Sequence, residues 1–91
     1  GLMRFIQTNV EYPNFEKENG ISGTILVTFV VNEDGSTKLV RIEGSDISGF
    51  KNQAVKMLKL MPNWIPGSQA GQKVRAYMSV PLTFKPEDDE N

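Results

Sequence analysis

Residues 24–31 read Thr-Ile-Leu-Val-Thr-Phe-Val-Val and carry the clearest strand pattern in the chain. One face of this segment is entirely apolar and holds Ile25, Val27, Phe29 and Val31. The opposite face is also partly apolar, because Leu26 and Val30 stand among threonines. Apolar residues on both faces, most of them β-branched or aromatic, are typical of a central strand. The segment therefore predicts a strand in the middle of a sheet.

A tight turn and a second strand follow. Residues 32–36, Asn-Glu-Asp-Gly-Ser, form a turn sequence, because Asp-Gly supplies the positive φ that a hairpin needs. The next residues predict a strand over Thr37–Glu43, with Val40 and Ile42 on its inner face. Residues 44–46, Gly-Ser-Asp, end that strand. The two strands are therefore expected to pair as a hairpin.

The period of the apolar residues then changes to that of a helix. Residues 49–61 repeat apolar side chains at helical spacing, at Phe50, Ala54, Met57 or Leu58, and Met61. Ser48 is the expected N-cap of this helix. Pro62 and Pro66 are expected to end it around Trp64. We interpret Trp64 as a core residue between helix and sheet, the alternative being an exposed stacking platform.

A shorter helix is predicted at the start of the chain, over residues 2–9, with Leu2, Phe5 and Ile6 on one side. The pair Tyr12-Pro13 should stop it, because proline disfavours the helical conformation of the residue before it.

The last element, Lys73–Phe84, alternates as a strand should, with its apolar residues on one face. Pro81 cannot donate to a ladder, so this strand is expected at an edge of the sheet. The predicted fold class is α+β: a small three-stranded antiparallel sheet with two helices on one face, in the order α-β-β-α-β.

Composition removes several classes of function. Ninety-one residues make one compact domain, and without cysteine or histidine the chain can build no thiolate or imidazole metal site and no cysteine or histidine catalytic site. A formal net charge of −1 argues against nucleic-acid binding. Four of the eleven acidic residues lie in residues 87–90. We therefore expect a domain over residues 1–86, a disordered acidic tail over 87–91, no catalytic residues, no metal and no cofactor.

Three groups of residues, in this order along the chain, resemble the C-terminal domain of TonB-type energy transducers. The strongest is Met61-Pro62-Asn63-Trp64-Ile65-Pro66-Gly67, followed by Gly71, Val74 and Val80-Pro81-Leu82-Thr83-Phe84. The second is Tyr12-Pro13 leading through Asn19-Gly20-Ile21 and Gly23 into the strand at Ile25. The third is Asp34-Gly35 with Val40 and Ile42. Together they span about residues 5–84. Glu16, Gln53 and Ile65 depart from the family pattern, which bears on partner choice and not on fold.

The resemblance implies a non-enzymatic protein of Gram-negative bacteria. It implies a periplasmic domain whose full-length parent is anchored in the inner membrane by an N-terminal helix, so that this chain would be an excised piece. Driven by a proton-powered motor complex, such a domain binds the TonB-box peptide of an outer-membrane TonB-dependent transporter. Pulling on that peptide opens the transporter for nutrient import.

The resemblance also places the peptide on the last strand, with further contacts from the segment before Tyr-Pro, which here comprises Asn9, Val10, Glu11 and Tyr12. The residues support this mode, because an exposed edge strand is a ready template for strand addition. If the missing N–H of Pro81 faces outward, residues of the same parity point their backbone groups at the free edge. This parity adds Arg75, Tyr77 and Ser79 to the expected peptide site.

Two other classes of function remain open from the sequence. The domain is also compatible with a partner-recognition module of a membrane sensor or regulatory protein, and with self-association through the edge strand as a homodimer. The lysines of the second helix, Lys51, Lys56 and Lys59, are expected to form its solvated face. An acidic partner for that face, extended by Lys73 and Arg75, is the alternative.

Overall fold

A computed structural model describes residues 2–63 and 67–86. Three helices and five strands follow one another in the order α1 (Leu2–Asn9), α2 (Asn14–Glu18), β1 (Gly23–Val31), β2 (Thr37–Gly44), α3 (Ser48–Leu60), β3 (Gly67–Gln69), β4 (Gln72–Val74) and β5 (Ala76–Phe84). None of the described helices is long and apolar enough to cross a membrane. Trp64, predicted as a core residue, and the acidic tail over 87–91 lie outside the described residues.

The main sheet is antiparallel and has the strand order β2-β1-β5. The prediction that residues 24–31 form the central strand is confirmed, and so is the edge position of the strand that contains Pro81. Ile25, Val27 and Phe29 are almost completely buried, as the alternation indicates. Thr28 and Val30 are also buried, on the opposite face of β1. The predicted fold class, a three-stranded antiparallel sheet with helices against one face, is confirmed.

A β-bulge corrects the predicted inner face of β2. Thr28 pairs with Arg41 and Phe29 with Leu39, so Val40 is an extra residue without a partner on β1. The insertion resets the alternation, and Leu39 and Ile42 both pack against the core while Val40 is 42 % exposed. The prediction of Ile42 as an inner residue is correct, and that of Val40 is wrong.

Helix α3 covers the inner face of the sheet with Phe50, Ala54 and Met57, all fully buried. The ring of Phe50 stacks on that of Phe84 from β5, with centroids 4.4 Å apart and planes 1° from parallel. The predicted N-cap is wrong, because Ser48 is already helical and Ile47 occupies the cap position without a side-chain cap bond. Instead, the Ile47 N–H donates to the Ser45 hydroxyl over 3.2 Å. The helix ends before Met61, which is extended as the residue before a proline should be.

The predicted strand over Lys73–Phe84 is two strands. β4 pairs with β3 in a separate two-stranded hairpin, and Arg75 separates it from β5. Ala70 and Gly71, both with positive φ, form the turn of that hairpin. Helix α2 was also missing from the predicted order. It ends at Glu18, and Gly20, with a φ of +65°, turns the chain two residues later.

The candidate peptide-binding edge

The hydrogen bonds at the two ends of β1 determine which way its backbone groups point. The Asn32 N–H donates to the Ser36 carbonyl over 2.8 Å, and the Thr24 carbonyl accepts from the Ser45 N–H over 3.1 Å. Both bonds are on the β2 side. Because the N–H and C=O of one strand residue point to the same side and alternate along the strand, the even-numbered residues of β1 face β2. Its odd-numbered residues therefore bond to β5.

The pairing of β1 with β5 has no register shift, so the directions of the backbone groups of β1 also determine those of β5. Val27 pairs with Val80 and Leu26 with Pro81, so the pair at Pro81 is one that exchanges no hydrogen bonds. The backbone nitrogen of Pro81 consequently faces away from β1, and the sheet loses no donor to this proline. Within β5, the residues that direct backbone groups to the outer edge are Tyr77, Ser79, Pro81 and Thr83. Among the described residues, no strand pairs with that edge.

A groove lies beside the C-terminal half of this edge, between α1 and β5. Its volume is about 380 Å³, and its lining comes from two segments, Ile6, Gln7 and Val10–Tyr12 on one side and Pro81–Lys85 on the other. Of these lining residues, the sequence predicted only Val10, Glu11 and Tyr12 as site residues, and it missed Ile6, Gln7 and the five residues 81–85. The helical period placed Ile6 on the packed side of α1, but nothing in the sequence placed α1 beside β5.

The segment before Pro13 is held in place by several contacts. The Asn9 amide donates to the Phe5 carbonyl over 3.0 Å, within α1. The Glu11 N–H donates to Oε1 of Gln53 over 2.9 Å, and its carboxylate lies 3.8 Å from Nζ of Lys56. Both partners belong to α3. The segment is therefore anchored at the helix that covers the sheet.

Tyr12 joins the segment to the core. Its hydroxyl donates to the Ile21 carbonyl, and its ring lies 6.2 Å from Phe50 and 6.0 Å from Phe84, measured between centroids. Tyr12 thus forms a three-ring cluster with those residues and presents its remaining surface to the groove.

The structure places the residues expected from the sequence in two groups. Val10, Glu11 and Tyr12 line the groove, and Asn9 ends α1 next to it. Tyr77 and Ser79 lie farther along the same edge, Tyr77 about 20 Å from Thr83 at the usual strand rise. Tyr77 is 64 % exposed, whereas the Ser79 hydroxyl is 2.9 Å from that of Thr28. Arg75 lies before β5, so the parity of that strand does not extend to it.

The described residues include no group of three or more acidic side chains that is arranged to hold a metal ion. The clearest shift in acidity belongs to Asp34, in the β1–β2 turn, where bonds from the Ser36 hydroxyl and backbone N–H lower its pKa. Two of the α3 lysines are ion-paired, since Lys51 lies 3.6 Å from Asp46 and Lys56 contacts Glu11. The arrangement offers backbone hydrogen bonds and apolar surface, which suit binding.

Comparisons with known proteins agree with this architecture. Residues 8–86 match the family model described as the Gram-negative bacterial TonB protein C-terminal. A search of curated protein sequences found no significant match. Among solved structures, the chain is similar to the solution structure of the TonB C-terminal domain of Helicobacter pylori, with a TM-score of 0.65 and 22 % sequence identity. That match covers 97 % of this chain and 79 % of the Helicobacter pylori chain, and at this identity it shows the fold.

Proposed function

The chain belongs to the family of C-terminal domains of Gram-negative bacterial TonB proteins, which are periplasmic domains, and we propose that it binds an extended peptide of an outer-membrane transporter by strand addition. The peptide is the TonB box of a TonB-dependent transporter. The domain takes part in no catalysis. It transmits to the transporter the pull of a proton-driven motor in the inner membrane, where a helix N-terminal to this domain anchors the full-length protein, and the pull admits a nutrient.

The observation that supports this proposal most directly is the outer edge of β5. Native proteins usually cover or disrupt such an edge, because its unpaired N–H and C=O groups pair readily with other chains. Here Tyr77, Ser79 and Thr83 each offer a donor and an acceptor, and Pro81 offers an acceptor only. An added strand gains affinity from these main-chain bonds and specificity from alternate side chains.

An added strand also suits a domain that works under load. A force along the strands acts on all ladder bonds together, so that the bonds share it. The edge strand itself is secured, because β5 pairs with the buried β1 over its whole length and buries Val80, Leu82 and Phe84 in the core. The load therefore passes from the peptide into the best-packed part of the domain.

The test is an NMR titration of the labelled chain with peptides from the periplasmic plugs of candidate transporters. We expect shifts along residues 77–83 and 10–12. A peptide of the same sequence with N-methyl groups at alternate residues is the control, because it keeps the side chains but loses the ladder donors. Equal binding of the methylated peptide, or shifts confined to the lysines of α3, would contradict strand addition and favour the recognition-module alternative.

A further inference from the structure

We propose that the bulge at Val40 closes the outer edge of β2 to strand addition, so that the sheet accepts an added strand at β5 only. The closure of β2 is argued from the register of the sheet alone, whereas the part played by β5 rests on the peptide-binding function proposed above. Val40 is therefore the residue that determines which of two free edges takes an extended segment.

The sheet ends in two strands of nearly equal length. β2 has eight residues and β5 has nine, and within the described part of the chain no strand pairs with the outer edge of either. Edges of this kind pair readily with other extended chains unless a feature of the strand prevents it. A domain that binds one peptide at β5 therefore needs such a feature on β2.

The outward backbone groups of β2 are out of phase on the two sides of the bulge. Three residues of β2 pair with even-numbered residues of β1 and so point their backbone groups towards β1, namely Lys38, Arg41 and Glu43. Four point outward, two before the bulge and two after it: Thr37, Leu39, Ile42 and Gly44. Leu39 and Ile42 are three positions apart, whereas a regular added strand meets an outward residue at every second position. Such a strand can therefore follow the edge on only one side of Val40.

Each side of the bulge offers little to an added strand. Before Val40 there are two outward residues, and after it the edge ends soon, because Gly44 has a φ of +105° and is not extended. A bulge also bends its strand and increases the local twist, which turns the two halves of the edge out of line. At β5, by contrast, the outward residues from Tyr77 to Thr83 follow one another at every second position without a register shift.

The side chains on the outer face of the sheet differ between the two edges in the same sense. Apart from Val40, those of β2 are charged and exposed, at Lys38, Arg41 and Glu43. Nε of Arg41 lies 3.4 Å from Oε1 of Glu43. Those of β5 carry no charge, at Tyr77, Ser79, Pro81 and Thr83. Charged side chains along an edge disfavour pairing, so they support the closure of β2. The bulge is the feature that breaks the row of outward backbone groups.

The test deletes Val40 from the full chain. Only Arg41 then separates Leu39 from Ile42, so both apolar side chains stay on the inner face and the outward groups follow at every second position. Val40→Ala is the matched control, because it shortens the same side chain and keeps the bulge. NMR spectra establish that each variant is folded.

We expect the deletion variant to pair with a second copy of itself through β2. Sedimentation over a concentration series measures the association, and hydrogen exchange locates it. The amides of Leu39 and Ile42 should exchange about tenfold more slowly in the associated state, because they become hydrogen-bonded there. In the parent chain and in Val40→Ala the exchange of these two amides should not depend on protein concentration.

A transporter peptide gives a second measurement. The parent chain should bind one peptide, with shifts along residues 77–83, and the deletion variant should bind a second, with shifts along residues 37–44. A parent chain that binds no peptide would overturn the proposed function. The self-association of the deletion variant would still decide the role of Val40.

Three results would overturn the inference. The first is a folded deletion variant that neither self-associates nor binds a second peptide. The second is pairing through β2 in a variant that keeps Val40 and has threonine in place of Lys38, Arg41 and Glu43, because the charges would then close the edge. The third concerns folding. If deletion of Val40 unfolds the domain, deletion of Leu39 removes one residue as well and lets Val40 take the inner position, and a domain that unfolds in both variants needs the bulge for its fold and not for its edge.

Discussion

The carboxylate of Glu16 lies directly against the backbone of Gly49. A β-carbon at position 49 would lie 2.7 Å from Oε2 of Glu16, a separation that real contacts do not show. Gly49 is the second residue of α3, so the carboxylate sits at the positive end of that helix, where an acidic group is stabilising. Because Gly49 has no β-carbon, it leaves the space that the Glu16 carboxylate occupies.

The first prediction is that these two positions are energetically coupled. Glu16→Ala should lower the free energy of unfolding by about 0.3–1 kcal/mol, the usual value of a charge at a helix end. In that background Gly49→Ala should stabilise by about 1 kcal/mol, because alanine is the better helix former. In the presence of Glu16 the same change should be close to neutral, because the methyl group displaces the carboxylate. Urea unfolding of the two single variants and the double variant measures the coupling.

A second prediction separates the structural role of Tyr12 from a role in binding. Tyr12→Phe keeps the ring beside Phe50 and Phe84 but removes the donor to the Ile21 carbonyl. The free energy of unfolding should fall by about 1 kcal/mol, the net value of one such bond. Affinity for transporter peptides should be unchanged, since the ring still lines the groove. A loss of affinity without a loss of stability would assign the hydroxyl to the ligand.

Much of this architecture is visible in the sequence because burial imposes a period. The period of two in β1 and the helical period of α3 each follow from one face packing on the core, and Pro81 indicates an edge because it lacks a donor. The bulge at Val40 is different. Apolar residues at 39, 40 and 42 fit two registers, and only pairing with β1 selects Leu39 over Val40. Likewise, the alternation of apolar and polar residues continues across Arg75, although β4 ends before this residue and β5 begins after it.

The groove could not be predicted for a different reason. The groove forms between Val10 and Phe84, which are far apart in the chain. Its shape depends on how α1 packs against α3. Local periodicity contains no information on that placement. The resemblance predicted that the segment before Pro13 takes part in the peptide site. That residues 81–85 lie opposite this segment is seen only in the structure.

The third prediction concerns Gln53, which holds the Glu11 backbone from α3. Gln53→Ala should release this amide and increase its hydrogen-exchange rate, while the amides of β1 keep their protection. Gln53→Glu retains an acceptor oxygen and should restore protection at Glu11. Peptide affinity should fall in the alanine variant and recover in the glutamate variant. Unchanged exchange at Glu11 in Gln53→Ala would show that the bond does not position the segment.

The fourth prediction is a pH dependence in the β1–β2 turn. The Ser36 hydroxyl, followed by its backbone N–H, holds the pKa of Asp34 below its ordinary value of 3.8. A carboxyl group whose pKa is lowered by folding stabilises the fold above its unfolded pKa, and the contribution is lost as the pH falls through the lowered value. Ser36→Ala should therefore raise the pKa of Asp34 towards 3.8. An NMR titration of the Asp34 carboxyl measures it. The difference in stability between variant and parent should narrow at low pH to the contribution of the bond from the Asn32 amide to the Ser36 hydroxyl, which the variant also loses.

The last prediction uses the direction of the Pro81 nitrogen. Because that nitrogen faces away from β1, Pro81→Ala breaks no bond of the sheet. The free energy of unfolding should fall by only about 0.4–1 kcal/mol, because the unfolded chain gains conformational entropy without the proline. The new N–H points at the outer edge and pairs with the added strand. Affinity for a transporter peptide should rise about two- to tenfold, since one net hydrogen bond contributes about 0.5–1.5 kcal/mol.

Thr83→Pro provides the opposite change at the same edge. Its N–H also faces outward, so the variant should remain folded, as edge strands tolerate proline. It removes a donor that the peptide uses, and affinity should fall by a similar factor. Calorimetric titration of both variants with one peptide measures the expected rise in affinity for Pro81→Ala and the expected fall for Thr83→Pro. If these nitrogens faced β1 instead, Pro81→Ala would add a ladder bond and raise the stability, and Thr83→Pro would remove one and destabilise the domain. Pro81→Ala that binds no tighter would show that the peptide does not pair with this edge.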